Sequence, residues 1–179
     1  IVRLMVLVKS ALEAEGIAYA IIGDLALNEF GYERATVDVN VLLTPDGLDS
    51  FKKAHLGRGY LERFPGSRGM RDTEHGVDID VVLTGGFPGD GKPKPISFPD
   101  PGRLAQRGAR VALLPLPRLL ELKLASGMTA PHRLRDLADV QELIRVAGLH
   151  RELAGELDPY VREKYLELWR AIQEHKDPE

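Results

Sequence analysis

The chain of 179 residues has about the length of one domain, and its composition of 44% apolar and 28% charged residues excludes disorder and collagen-like repeats. The absence of cysteine excludes a disulfide scaffold, a thiolate zinc site and a cysteine nucleophile. It also fits a reducing compartment, so we expect a cytoplasmic protein. No apolar run approaches the ~20 residues that cross a bilayer, so we expect no membrane association. The chain begins at Ile1 rather than Met, and its first residues do not resemble a signal peptide.

The net charge of −3 is distributed unevenly along the chain. Residues 1–102 sum to −4, residues 103–135 to +6 and residues 136–179 to −5. An acidic part followed by a basic segment is compatible with a site for a metal-bound anion, because carboxylates bind the metal and cations bind phosphate. Chance clustering of surface charge is the alternative interpretation.

The hydrophobic patterns of the first part of the chain alternate between strands and helices. In chain order they predict a helix over 2–15, a strand over 17–22, a helix over 25–30, a strand over 37–43, a helix over 44–56, and strands over 60–64, 70–73 and 77–83. Residues 84–101 contain four Gly and five Pro and predict a mobile loop. Its glycine-rich stretch lacks the G-K-[ST] ending of a P-loop.

The remainder predicts mostly helices. A strand over 110–114 precedes predicted helices over 117–126, 133–147, 149–157 and 159–175. We therefore predict an α/β core over 1–115 and a helical part over 116–179, packed on the core as one composite unit. The five histidines have no metal-ligand spacing, which argues against a zinc hydrolase.

Paired acidic residues occur on two of the predicted strands. Asp38 and Asn40 are two positions apart, so their side chains leave one face of the strand, and Asp78 and Asp80 repeat this arrangement. If the two strands are neighbours, three carboxylates and one amide meet, which suits Mg²⁺. Acidic side chains in such strands are costly to bury without a partner or a metal. The alternative is that both faces are exposed to solvent.

Five sequence stretches, in this order, resemble the nucleotidyltransferase superfamily. They are residues 19–28 (YAIIGDLALN), 34–43 (RATVDVNVLL), 76–82 (GVDIDVV), 119–126 (LLELKLAS) and 133–140 (RLRDLADV). The resemblance is strongest to minimal and AbiEii-like members, many of which occur in toxin–antitoxin pairs. It covers about residues 17–145 and implies a mixed β-sheet flanked by helices, an α/β (α+β) fold, followed by a C-terminal helical part.

The resemblance also implies an activity. The backbone N–H groups of Gly23 and Asp24 would face the triphosphate of a bound NTP at a helix N-terminus. Asp38, Asn40 and Asp80 would hold two Mg²⁺ or Mn²⁺ ions during transfer of a nucleotidyl group to a hydroxyl acceptor on a small molecule, a protein or an RNA end.

Two basic residues are implied as phosphate ligands. Lys123 and Arg34 would neutralise the charge of the nucleotide phosphates. For Lys123 the alternative is an exposed lysine on a helix surface. The oligomeric state and the base preference cannot be read from these patterns.

Two positions depart from the family pattern at the centre of its chemistry. Asn40 stands where the family has a second metal-binding carboxylate, so one full charge of metal attraction is missing. Asp24 stands where Gly or Ser is expected, and a carboxylate ~5 Å from a phosphate costs on the order of 3 kcal/mol unless a cation intervenes. As compensating hypotheses, Asp78 supplies the missing carboxylate, or Asp24 itself binds a metal.

Two functions follow from the same residues. The first is a nucleotidyltransferase whose activity is impaired by Asn40 and Asp24. The alternative is a catalytically inactive binding or regulatory module, such as a toxin–antitoxin component, that acts through a protein or RNA partner.

Overall fold

The chain divides into two compact units, and the computed structural model describes residues 2–175. The first unit comprises the residues up to Glu29 together with Glu33–Gly85 and Phe98–Pro115. The second comprises Phe30–Tyr32, Gly86–Ser97 and the residues from Leu116 onward. Ile1 and residues 176–179, which the predicted core and helical part include, lie outside the described residues.

The first unit is built on one mixed β-sheet. Its elements are α1 (Val2–Ala14), β1 (Ala20–Ile22), α2 (Asp24–Glu29), β2 (Asp38–Leu43), α3 (Pro45–His55), β3 (Tyr60–Glu62), β4 (Met70–Asp72), β5 (Asp78–Leu83), α4 (Pro101–Leu104), β6 (Gln106–Arg107) and β7 (Ala112–Leu113). The sheet order is β3-β4-β5-β2-β1-β7-β6. The β2–β5 and β1–β7 pairs are parallel and the others antiparallel. This mixed sheet, contacted by helices α1, α2 and α3, confirms the predicted α/β class.

The two central strands are buried because their sequences are almost wholly apolar. All three residues of β1 and four of the six in β2 are buried. The helix that follows β2 begins where the sequence predicts it, since Thr44 Oγ1 accepts a hydrogen bond from Gly47 N at 3.0 Å and Pro45 occupies the first turn. This cap fixes the exit of the chain from β2.

The structure differs from the sequence prediction at the other edge of the sheet. The predicted strand over 110–114 is reduced to β7, and it pairs with β6, which the sequence analysis missed. Both residues of β6 are exposed, so no buried alternation marks the strand in the sequence. Within the predicted 84–101 loop, Asp100 caps the short helix α4 by accepting a hydrogen bond from Gly102 N at 2.8 Å.

The second unit is helical. Its helices are α5 (Leu116–Thr129), α6 (Leu134–Val146) and α7 (Pro159–Glu174), with 3₁₀ helices at Pro131–Arg133 and Arg151–Glu156. Tyr165 of α7 is fully buried and its hydroxyl donates to His150 O at 2.9 Å. Burial raises the pKa of Tyr165 to about 12.

The predicted helix over 149–157 is not an α-helix. Leu149 O accepts a hydrogen bond from Trp169 Nε1, and His150 O accepts one from the hydroxyl of Tyr165. His150 O also accepts a hydrogen bond from Leu153 N at 3.2 Å, which is the i→i+3 bond of a 3₁₀ turn. A short 3₁₀ helix, Arg151–Glu156, forms instead.

A buried lysine organises residues 86–97, which the sequence predicts as a mobile loop. The Lys94 ammonium donates to Pro88 O at 2.7 Å, Asp90 Oδ1 at 2.6 Å and Lys92 O at 2.8 Å. These bonds close the segment on itself, and the hydrogen bond from Lys94 lowers the pKa of the Asp90 carboxyl. The segment lacks regular secondary structure but is hydrogen-bonded internally.

None of the helices within residues 2–175 combines the length and the apolar character that a membrane-spanning helix requires.

Candidate functional site

Four polar side chains meet on one face of the sheet in the first unit. Strands β2 and β5 are parallel neighbours, with Asp38 opposite Asp78 and Asn40 opposite Asp80. Buried residues alternate with these four along both strands, so the polar side chains share the opposite face. The two strands are therefore neighbours, which is the condition under which the sequence places these side chains together. We call Asp38, Asn40, Asp78 and Asp80 the polar face.

Two arginines that the sequence analysis missed bind the carboxylates of β5. Arg71 of β4 lies opposite Asp78 in the antiparallel β4–β5 pair, and its Nη1 is 2.9 Å from Asp78 Oδ1. Arg63 follows β3, and its Nη2 is 2.8 Å from Asp80 Oδ1. These partly exposed pairs add little stability, but each neutralises a carboxylate charge.

The remaining acid of the polar face has a neutral partner. Asp38 Oδ1 accepts a hydrogen bond from Thr36 Oγ1 at 2.7 Å. Together the polar face and its two arginines hold three negative and two positive charges, a net charge of −1. The face is therefore nearly neutral rather than strongly acidic.

The turn after β1 lies against the polar face. Gly23 has φ of +73°, and a methyl group added to it would lie 2.9 Å from Asn40 Nδ2. The residue at position 23 must therefore be glycine on two counts, its backbone conformation and its contact with Asn40. The structure thus brings Gly23 and Asn40 together.

Replacing Gly23 by alanine is expected to destabilise the protein by about 2–4 kcal/mol, because the positive φ costs about 1 kcal/mol and the clash with Asn40 adds to it. Gly57 is the matched control, since its φ is +72° and nothing lies within 4 Å of an added methyl group. Urea unfolding of Gly23→Ala and Gly57→Ala separates the two costs. Equal losses in the two variants would contradict the close contact between Gly23 and Asn40.

Asp24 forms an ion pair with Arg34, so a cation does offset the charge that would otherwise repel a phosphate. Arg34 Nη1 lies 3.0 Å from Asp24 Oδ1, and the Arg34 side chain is only 8% exposed. The Asn28 side chain positions Arg34 by accepting from its backbone N–H at 2.6 Å and donating to its carbonyl at 3.1 Å. Asp24 also opens the six-residue helix α2, where a negative charge is favourable. The ion pair with Arg34 and the position at the start of α2 are both structural roles for the Asp24 side chain.

Lys123 lies in the second unit within a buried ionic cluster. Its Nζ is 2.9 Å from Asp139 Oδ2 and 3.2 Å from Asp136 Oδ1, and the residue is 8% exposed. Ser126 Oγ donates to Asp136, and Arg133 Nε is 3.0 Å from the same carboxylate. The alternative of an exposed surface lysine is therefore wrong. The ammonium is held by two carboxylates of its own unit.

The donor set does not fit the magnesium ions that the family resemblance implies. Asn40 supplies an amide, Asp80 and Asp78 are paired with arginines, and Asp38 is the one carboxylate of the polar face without an arginine. Among residues 2–175, no group of three or more His, Asp or Glu side chains is arranged to hold a metal. Asp24, the other substitute ligand considered, is ion-paired to Arg34.

Comparison with known proteins finds distant structural likenesses, two of which come from Helicobacter pylori. No protein-family model matches the sequence, and no curated protein matches it. The solved structure of JHP933 from Helicobacter pylori covers 96% of this chain and 87% of its own, with 14% identity and a TM-score of 0.48. A Helicobacter pylori protein described as a "putative nucleotidyltransferase" covers 96% and 89%, with 14% identity and a TM-score of 0.47. These values define no family for the chain.

Proposed function

We propose that this chain is a nucleotidyltransferase-type protein in which transfer of a nucleotidyl group from an NTP is impaired, and that it acts as a binding or regulatory module. The observation that carries the proposal is the pairing of Asp80 with Arg63 and of Asp78 with Arg71, beside an amide at position 40. The order of the sequence motifs and the in-register placement of Asp38 and Asp80 on neighbouring strands support the nucleotidyltransferase type.

Charge explains why transfer is impaired. Divalent cations supply the charge stabilisation for phosphoryl chemistry, and a protein holds them through carboxylates whose charge is not already balanced by another cation. Here two of the three carboxylates are already neutralised by guanidinium groups. A cation would have to displace Arg63 from Asp80 and would still meet an amide at Asn40.

The same charges favour a protein partner over RNA. Affinity for nucleic acid depends mainly on cations that contact phosphates, whereas the polar face with its two arginines has a net charge of −1. A toxin–antitoxin setting, in which such a module binds a partner protein, is consistent with this charge and with the motif resemblance. We therefore propose a protein partner.

A transfer assay tests the proposal. Wild-type protein and an Asn40→Asp/Arg63→Gln variant are incubated with labelled NTPs and Mg²⁺ or Mn²⁺, with Arg68→Gln as the control for removing an exposed arginine of the same hairpin. We expect transfer by the double variant to exceed that of the wild type by about 100-fold or more, equivalent to ~2.7 kcal/mol of barrier. Wild-type transfer equal to that of the variant would contradict the proposed impairment. Activity in neither protein would count against the nucleotidyltransferase type.

A further inference from the structure

A cavity of about 720 Å³ lies in the first unit, outside the polar face. It is lined by Met5 of α1, by Glu29 at the end of α2, by Glu33 and Arg34 in the segment before β2, and by Arg110 before β7. Its volume falls in the range of small-molecule sites, about 300–1,000 Å³. The size and the mixture of apolar and charged walls suit a small organic ligand.

The Glu29 carboxylate on the wall of this cavity lacks a hydrogen-bond donor. The side chain is 10% exposed, and the nearest cationic atom, Arg110 Nη1, is 3.8 Å from Glu29 Oε1. That separation is too long for a hydrogen bond, and no other hydrogen bond or ion pair reaches Glu29 from residues 2–175. The Glu29 carboxylate therefore keeps acceptor capacity that a donor group in the cavity would use.

The charges around the cavity select a cation. The Arg34 charge is matched by Asp24 at 3.0 Å. The other charged lining residues are Glu29 and Glu33 against Arg110, which leaves a net charge of −1. Met5 supplies an apolar wall for an aliphatic chain. We propose that the cavity binds a small aliphatic amine, whose ammonium group donates hydrogen bonds to Glu29.

Calorimetric titration with putrescine tests this proposal, with 1,4-butanediol as an uncharged ligand of similar length. Because NTP and metal are omitted, the result is independent of the proposed function. We expect saturable binding of putrescine and none of butanediol. We also expect Glu29→Gln to weaken putrescine binding by about 30-fold or more. Glu167→Gln is the matched control, since Glu167 is exposed and lies in the second unit.

A second variant, expected to tighten putrescine binding rather than weaken it, keeps the test independent of any folding defect in Glu29→Gln. Arg110→Gln removes the competing cation from Glu29, and the Arg110 side chain is 54% exposed. We expect it to tighten putrescine binding by about threefold. Absence of saturable putrescine binding to the wild type, equal binding of butanediol, or unchanged binding in folded Glu29→Gln would overturn the proposal.

Discussion

Replacing Lys123 by methionine is expected to destabilise the protein by about 3–5 kcal/mol, a large fraction of the stability of a typical domain. The ammonium lies between the carboxylates of Asp136 and Asp139, and all three residues are buried. Methionine preserves most of the side-chain volume but removes the cation that lies between the buried carboxylates of Asp136 and Asp139. The loss therefore comes from lost charge compensation rather than from a cavity.

Urea unfolding measures this loss. Lys164→Met is the control, because Lys164 makes a more exposed pair with Glu167 and its removal is expected to cost less than about 1 kcal/mol. Adding Asp139→Asn to Lys123→Met removes one of the two carboxylates that lose Lys123 as a partner, and is expected to restore about half of the loss. A loss below about 1 kcal/mol in Lys123→Met would show that its ammonium contributes little, which would contradict the role we assign to the cluster.

Converting the polar face into a metal site is the second large expected effect. The Asn40→Asp/Arg63→Gln variant gains a carboxylate beside Asp38 and frees Asp80 from its guanidinium partner. Aspartate has nearly the shape of asparagine, so the close approach of Gly23 to position 40 is retained. We expect Mg²⁺ at about 100 times its dissociation constant to stabilise this variant by about 2.7 kcal/mol.

Thermal unfolding with and without Mg²⁺ measures this gain. The wild type and Arg68→Gln are expected to show no Mg²⁺-dependent stabilisation, because both retain the Asp80–Arg63 pair. The double variant is expected to be less stable than the wild type without metal, since it gathers carboxylates without cations. Failure of Mg²⁺ to stabilise the folded double variant would contradict the proposal that Asn40 and Arg63 are what disfavour a metal ion at the polar face.

The polar faces of the two central strands could be predicted from the sequence because they depend on a local pattern, in which Asp38 and Asn40, like Asp78 and Asp80, alternate with buried residues. That the two strands are neighbours was a condition that the sequence left open and the structure supplies. The edge strand β6 could not be predicted, since it has two exposed residues and exists only through its pairing with β7. The 3₁₀ helix Arg151–Glu156 depends on hydrogen bonds from α7, which local sequence does not encode.

The acidic residues of the candidate site were predicted from the sequence, but the ion pairs that they form with arginines were not. Asp24 and Arg34 were both identified, yet their contact depends on Asn28 fixing the segment that carries Arg34. Arg63 and Arg71 were missed because their positions follow from the register of the β3–β4 hairpin, which the sequence does not reveal.

The ion-pair partners of Lys123 were not predicted from the sequence either. Its resemblance to a family position implied a phosphate ligand, whereas the structure pairs it with Asp136 and Asp139. The two aspartates are three residues apart and share one helix face, so their spacing is a signal that could have predicted a buried basic partner.

Arginines, rather than divalent cations, balance the carboxylates of the polar face in the function proposed above. Titration of the wild-type protein with Mn²⁺, followed by electron paramagnetic resonance, tests this claim directly. We predict no Mn²⁺ site with a dissociation constant below about 1 mM, because Asp38 is the one carboxylate of the face without an arginine. Micromolar binding of Mn²⁺ that is lost in both Asp38→Asn and Asp80→Asn would contradict the account.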